Sequence, residues 1–359
     1  MCPERVAVAL SGGVDSAMAA ALLVEQGHEI FGITMNTWQE TPPNDDQPAR
    51  PAPAQGARQV AESLDIPLHV IDAVAPFKRH VVDRFIAEYS AGRTPNPCLY
   101  CNRRLKFGAL LKRALDLGAD RFATGHYARV RRTPEAGWQL LRGIDPRKDQ
   151  SYALYMLGQT ELARLLFPLG ALTKDRVREM AAARGLPAAH SQESQDLCFV
   201  YDNDYRRFLN RYAPQSLIPG PIFDRSGREV GRHRGLAAYT IGQRGGLGIA
   251  APEALYVLDI DTAQNALIVG PQRELGRDRL IAGQVRWVSG VAPRAPVAVS
   301  AKIRYRARPA QAVVTPLDHN QVDVRFSRPL RDITPGQGVV FYDGQVVLGG
   351  GLIARSFSR

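Results

Sequence analysis

Cysteine is scarce in this chain. Four residues in 359, Cys2, Cys98, Cys101 and Cys198, are too few for the disulfide framework that holds small secreted domains together. The expected compartment is therefore the reducing cytoplasm, and any thiol chemistry is local. No apolar run approaches the roughly 18 residues that a membrane span needs, which excludes membrane insertion. The opening stretch Met-Cys-Pro-Glu-Arg-Val-Ala-Val-Ala-Leu-Ser lacks the shape of a signal peptide. Acids are outnumbered as well: 35 Asp and Glu face 46 Lys and Arg, a net +11 that suits a polyanionic partner. Residues 281–359 hold 11 of the basic residues and only 4 acids. That tail reads as a docking surface for nucleic acid, against the plainer reading of an indifferent basic surface.

At 359 residues the chain is long enough for two or three domains. Its first half alternates short apolar runs with helical patterns, as a parallel sheet with crossover helices does. Strands are expected at Arg5–Leu10, Glu29–Met35, Leu68–Ile71 and Arg121–Thr124. Helices are expected from Met18 to a stop at Gly27, and over 57–64, 77–89, 103–117 and 174–184. Residues 39–56, rich in Pro, Asp and Ala and without periodicity, read as a mobile surface loop. From about Tyr205 Gly and Pro recur every few residues, and the elements become strands: 255–260, 266–269, 297–304, 310–315 and 321–326, then a hairpin turning at Asp343-Gly344. The expected division is 1–204, a small β-rich linking domain over 205–279, and a β-barrel over 280–359. No internal repeat is visible.

Ser11-Gly12-Gly13-Val14-Asp15-Ser16 lies between the first strand and the first helix, where backbone amides converge on an anion. Two glycines allow close approach, two serines add donors, and the helix N-terminus adds partial positive charge. No Lys-Ser or Lys-Thr follows, so this is neither a Walker loop nor a dinucleotide fingerprint. A tight turn with Asp15 as helix cap is the structural alternative. The loop resembles the signature of the N-type ATP pyrophosphatases. That resemblance implies attack of a substrate oxygen on the α-phosphate of ATP and release of pyrophosphate, with Asp15 a candidate Mg2+ ligand. Met35, at the end of the second strand, occupies a base-binding position of such a sheet, or is simply core.

Cys98 and Cys101 form a single C-x-x-C, a weak zinc signal without a second pair. Two prolines before the pair suggest a stiff extended loop, with the helix starting at Asn102-Arg103-Arg104; a thiol so placed is expected to have a lowered pKa. Cys198 alone would most often be a buried, inert thiol.

Taken together, the motifs resemble the bacterial tRNA-specific 2-thiouridylases. The resemblance is carried by Ser11–Ser16, Gly92-Arg93-Thr94-Pro95-Asn96-Pro97 with Cys101-Asn102, Ala123–Tyr127, Lys148–Ser151, Cys198-Phe199, Tyr239–Arg244 and Gly246–Ile249. It implies an α/β catalytic domain of the adenine nucleotide alpha hydrolase kind, a doubly wound parallel sheet, ahead of the linking domain and barrel. It implies ATP and Mg2+, a sulfur donor such as a cysteine desulfurase or persulfide relay protein, and the glutamate, glutamine and lysine tRNAs as substrates. Sulfur would replace O2 of the wobble uridine. Cys101 falls on the nucleophile and Cys198 on the persulfide carrier. Ala9, Leu10, Ser11, Gly12, Gly13, Val14, Asp15, Ser16, Met35 and Gly125 fall on ATP-binding positions. Asn96, Pro97, Cys98, His126, Lys148, Asp149, Gln150, Arg304, Tyr305 and Gln337 fall on tRNA contacts. His126 has a plainer reading as a hydrogen-bonded loop residue, and Lys148–Gln150 as a solvated turn. Arg304, Arg306 and Arg308 are expected to share one face of a strand. Many family members carry Asp where this chain has Cys98, so the proton acceptor is unassigned. The rivals are an ammonia-using ATP pyrophosphatase and a catalytically idle RNA-binding protein.

Overall fold

The computed structural model describes residues 3–42, 53–187 and 197–357. A five-stranded parallel sheet in the order β3-β2-β1-β4-β7 forms the centre of the first body. Its strands are β1 (Arg5–Ala9), β2 (Glu29–Asn36), β3 (Leu68–Asp72), β4 (Arg121–Ala123) and the two-residue β7 (Leu165–Leu166). Val6, Ala7 and Val8 are fully buried, as expected of a central strand covered on both faces. Helix α1 (Val14–Glu25) is rich in Ala and Leu, and Ala17 to Ala20 are fully buried against the sheet. The strand order reverses between β1 and β4, which opens a crevice beyond the carboxyl ends of those two strands. The Ser11–Ser16 loop leaves β1 into that crevice and Gly125-His126 leaves β4 beside it.

The middle of the chain builds a four-stranded sheet in the order β10-β11-β8-β9: β8 (Gly220–Asp224), β9 (Glu229–His233), β10 (Leu255–Asp261) and β11 (Ala266–Pro271). The C-terminal strands are β12 (Arg277–Trp287), β13 (Val297–Lys302), β14 (Ala310–Leu317), β15 (Gln321–Leu330), β16 (Gly338–Asp343) and β17 (Val346–Phe357). Because β12 pairs with both β15 and β17, these six close into a barrel with no free edge. The alternation of buried and exposed residues along β14 gives the barrel its interior.

Several expectations are corrected. Helix α2 begins at Pro53, not Ala57; the rest of the expected 39–56 loop lies mostly outside the described residues. The helix expected from Asn102 begins at Pro97, so both cysteines of the C-x-x-C are helical, not in an extended loop. Asn96 caps it by accepting a hydrogen bond from the Cys98 amide (3.1 Å), and Pro97 takes the first position, where no amide hydrogen is needed. Strand β13 ends at Lys302. Residues 303–309 form a bend and turn, so Arg304, Arg306 and Arg308 do not alternate along a strand.

The barrel is not a separate bead. A hairpin that sequence reasoning missed, β5 (Ala128–Thr133) and β6 (Gly137–Arg142), pairs Leu140 and Leu141 with Val347 and Val346 of β17. One hydrophobic cluster runs across this seam, from Phe122 and Tyr152 to Val340, Tyr342 and Val347.

Candidate active site

The phosphate loop is built by two close backbone approaches and one uncrowded glycine. Gly12 has φ +79°, and a Cβ there would lie 2.7 Å from the Gly56 Cα of α2. Gly125 abuts the first turn of α1: a Cβ would come within 2.8 Å of the Asp15 carbonyl and the Ser16 amide. Gly13 is the N-cap of α1, in extended conformation, and a Cβ there would meet only Ser11 Oγ, at an ordinary 3.6 Å. The loop is also tied internally. Ser16 Oγ donates to the Gly13 carbonyl (2.9 Å) and accepts from the Ser11 amide (3.1 Å). The N-terminus of a twelve-residue helix entered through two glycines offers backbone amides and partial positive charge of the kind that binds a phosphate.

Asp15 is not the helix cap. Its Oδ1 accepts from the Tyr127 hydroxyl (2.8 Å) and from Lys174 Nζ (2.6 Å), and the Lys174 side chain is only 4% exposed. Lys174 was not predicted. It opens helix α5 (Lys174–Ala183), counting the segments 74–90 and 97–116 as α3 and α4. The one available signal was a lysine on the first turn of an amphipathic helix, which is ordinarily solvated. As a donor set, Asp15 supplies one carboxylate already engaged with an ammonium, and among the described residues no group of three His, Cys, Asp or Glu could hold a metal. With one carboxylate to offer, Asp15 fits a Mg2+ that would be held chiefly by nucleotide phosphates and water.

Motifs far apart in sequence form one network. The Tyr127 amide donates to Gln150 Oε1 (2.9 Å), and the Gln150 amide donates back to the Tyr127 carbonyl (2.9 Å). Asp149 is buried, accepts from the amides of Gly143 and Ser151, and pairs with Arg142. Asp149 and Gln150 thus brace the Gly125–Tyr127 turn. Lys148 is half-exposed, as is Gln150, whereas Asp149 and Ser151 are buried.

The 92–97 segment sits where three bodies meet. The Thr94 amide donates to the Pro335 carbonyl, and Gln337 Nε2 donates to the carbonyls of Thr94 (2.9 Å) and Pro95 (3.2 Å). Thr94 also meets Thr240 of the middle body at 3.1 Å between hydroxyls. Gln337 therefore anchors the segment that leads into the cysteine helix. Arg304 is engaged as well, pairing with Asp332 (2.9 Å) and donating to the Ile241 carbonyl and the Thr334 hydroxyl. Tyr305 is half-buried, its ring 6.3 Å from that of Tyr152. A group that sequence reasoning passed over lies at the same seam: Arg103 touches Gln284 of β12, and burial together with the nearby Arg286 pushes its guanidinium below the usual range.

Cys98, Cys101 and Cys198 are thiols. Cys101 and the residues flanking Cys198 meet on one aromatic cluster. Phe77, Phe85 and Phe208 surround Phe199, with Leu197, Met35 and the partly buried Cys101 packed against them. Met35 thus contributes to packing at the crevice mouth. The Phe199 carbonyl accepts from the Glu40 amide (3.0 Å), which fastens this segment to the exit of β2. Glu40 has a fully buried side chain paired with Arg207 (2.6 Å) and Arg211 (3.4 Å) of helix α6 (Tyr205–Tyr212), a contact unforeseen from sequence. Cys198 itself is exposed, not buried. The expected lowering of the Cys101 pKa is reversed: burial pushes the thiol up to about 11, outweighing the pull of Lys106. His126 is buried, with Nδ1 2.7 Å from Thr124 Oγ1, and burial holds its imidazole well below the usual range.

Models of three families cover this order of bodies: the tRNA methyl transferase HUP domain over 4–202, its PRC-barrel domain over 206–271, and an aminomethyltransferase beta-barrel domain over 277–353. Curated relatives match nearly end to end. The tRNA-specific 2-thiouridylase MnmA of Roseiflexus castenholzii is 51% identical, over 98% of this chain and 99% of that protein. That of Chloroflexus aggregans is 52% identical, over 98% of each. The chain belongs to the tRNA-specific 2-thiouridylase family. A solved 4-thiouridine synthetase–RNA complex with bound ATP is 19% identical, covers 59% of this chain and 51% of that one, and has a TM-score of 0.37, too slight a likeness to bear on mechanism. Among the described residues no helix is long and apolar enough to cross a membrane.

Proposed function

We propose that this 2-thiouridylase family member catalyses ATP-dependent 2-thiolation of the wobble uridine in glutamate, glutamine and lysine tRNAs. The observation that carries the reading is the meeting of Cys101 and the Cys198-Phe199 segment on one cluster with Met35, at the carboxyl edge of the sheet from which the Ser11–Ser16 loop also leaves. Nothing in an ammonia-using ligase or an idle RNA-binding protein requires two distant cysteine segments to converge there.

The loop amides and the α1 N-terminus bind the phosphates of ATP, and Mg2+ supplies charge neutralisation on the phosphate oxygens. Uridine O2 attacks the α-phosphorus, pyrophosphate leaves, and the poor oxygen leaving group becomes a phosphate ester. The terminal sulfur of a Cys198 persulfide, loaded by an external desulfurase or relay protein, adds to C2 and AMP departs. The persulfide S–S bond breaks as Cys101 takes the Cys198 sulfur into a disulfide, which a cellular thiol then reduces. In the alternative order Cys101 first attacks the persulfide and releases hydrosulfide beside C2. The exposure of Cys198 suits loading by a partner, and the partial burial of Cys101 suits a step shielded from water.

Purified protein incubated with tRNA, ATP, Mg2+ and a desulfurase is expected to yield 2-thiouridine, read by mass spectrometry of digested tRNA, and to yield none when any component is omitted. Cys101→Ser and Cys198→Ser are each expected to abolish the product while leaving tRNA binding intact. Product formation by either variant removes that cysteine from the scheme.

A further inference from the structure

We propose that Lys106 is the positioning residue that holds the negative charge of the Cys101 sulfur, and that neutral His126 keeps the lysine ammonium in place for it. Cys101 heads a π-helical stretch, Cys101–Leu110. Bonding from residue i to i+5 brings position 106 onto the next turn over position 101, where an α-helix would bring 104 or 105. Arg104 is the exposed alternative cation on that helix, whereas Lys106 is half-buried. The Lys106 ammonium lies 3.5 Å from His126 Nε2. The other imidazole nitrogen is 2.7 Å from Thr124 Oγ1. This network assigns the tautomer: Nδ1–H donates to Thr124, and the Nε2 lone pair accepts from Lys106.

Among the described residues Lys106 forms no ion pair with a carboxylate. Its charge is therefore free to act on the sulfur. The other titratable group acting on Cys101 is Cys98, which opposes ionisation, as burial does. The remaining side chains of the cluster against which Cys101 packs are apolar or aromatic, and burial keeps the phenol of Tyr89 among them protonated. Among the described residues no other cation acts on Cys101, so without Lys106 none of them offsets the cost of a desolvated thiolate. The inference rests on Cys101 as nucleophile for its consequence in catalysis; the charge coupling is testable without turnover.

In the full chain with Cys2, Cys98 and Cys198 replaced by Ser, Cys101 is the sole thiol, and its alkylation by iodoacetamide is followed against pH by mass spectrometry. Lys106→Met is expected to move the profile up by about one pH unit and to slow alkylation about tenfold at neutral pH, whereas Lys106→Arg retains the parent profile. Should Lys106→Met not melt cooperatively, Lys106→Gln is measured in its place. A profile for the Met or Gln variant that superposes on the parent overturns the inference. Thiolation by Cys101→Ser would overturn the nucleophile assignment while leaving this profile unchanged, so the two failures are distinct.

Discussion

Gly125→Ala places a methyl group against backbone that has nowhere to go. The added Cβ would sit 2.7 Å from the Asp15 carbonyl carbon and 2.8 Å from both the Asp15 oxygen and the Ser16 nitrogen. Ordinary van der Waals contact begins at 3.4 Å, so β4 and the first turn of α1 must part by about 0.7 Å. That displacement falls on the Asp15–Tyr127 and Asp15–Lys174 bonds. Overpacking of this kind costs about 1–3 kcal/mol, and each kcal/mol lowers the melting temperature by about 2–4 °C in a body of ~200 residues. Gly13→Ala is the control. Its Cβ would meet only Ser11 Oγ, at an ordinary 3.6 Å, and its backbone is extended. It is therefore expected to melt like the parent yet bind ATP weakly, because the space it fills is the ligand's. Differential scanning fluorimetry with ATP titration, read by fluorescent-nucleotide displacement, separates the two. A Gly125→Ala variant that melts and binds ATP as the parent does refutes the packing argument, and a Gly13→Ala variant with parental affinity refutes the phosphate cradle.

Glu40→Ala leaves Arg207 with Asp202 and leaves Arg211 with the Thr41 carbonyl; the exposure of both arginines reduces the cost of a broken buried pair to about 2 kcal/mol. The Cys198 segment is expected to loosen, so that local hydrogen exchange over 197–212 rises; unchanged protection there would count against this anchor. Gln337→Ala strips the donor from the Thr94 and Pro95 carbonyls, at about 1–3 kcal/mol. Single-turnover thiolation is expected to slow more than tRNA affinity falls, and an equal loss in both would assign Gln337 to RNA contact alone. His126 is neutral in the folded state, whereas in the unfolded chain it titrates near 6.5. The unfolded state therefore takes up protons first as pH falls, and stability, full above pH 6.5, declines below it. His126→Gln is expected to flatten that slope in melting curves, and an unchanged slope would place its origin elsewhere. A low-salt preference of tRNA binding follows from the basic tail, and affinity insensitive to salt would argue against phosphate contacts.

Residue order alone determined the strand–glycine–helix entry to the phosphate loop, the passage from α/β to all-β, which helix α6 delays from the expected Tyr205 to beyond Tyr212, and the strongly basic C-terminal part, because these depend on local periodicity, turn chemistry and charge. It also exposed the motif blocks, but not the bonds that make Gln150, Tyr127 and Asp15 one chain of contacts. Only the tertiary structure decided that Lys174 would neutralise Asp15, that Arg304 would be spent on Asp332, and that the β5–β6 hairpin would join the barrel wall. It likewise decided the state of Cys101. The local pattern of a helix start with nearby arginines pointed to an acidic thiol, but desolvation by Met35 and the Phe199 cluster, brought from opposite ends of the catalytic body, outweighs it. Burial and proximity are properties of surfaces that meet across the fold, and no window of sequence contains both sides of such a contact.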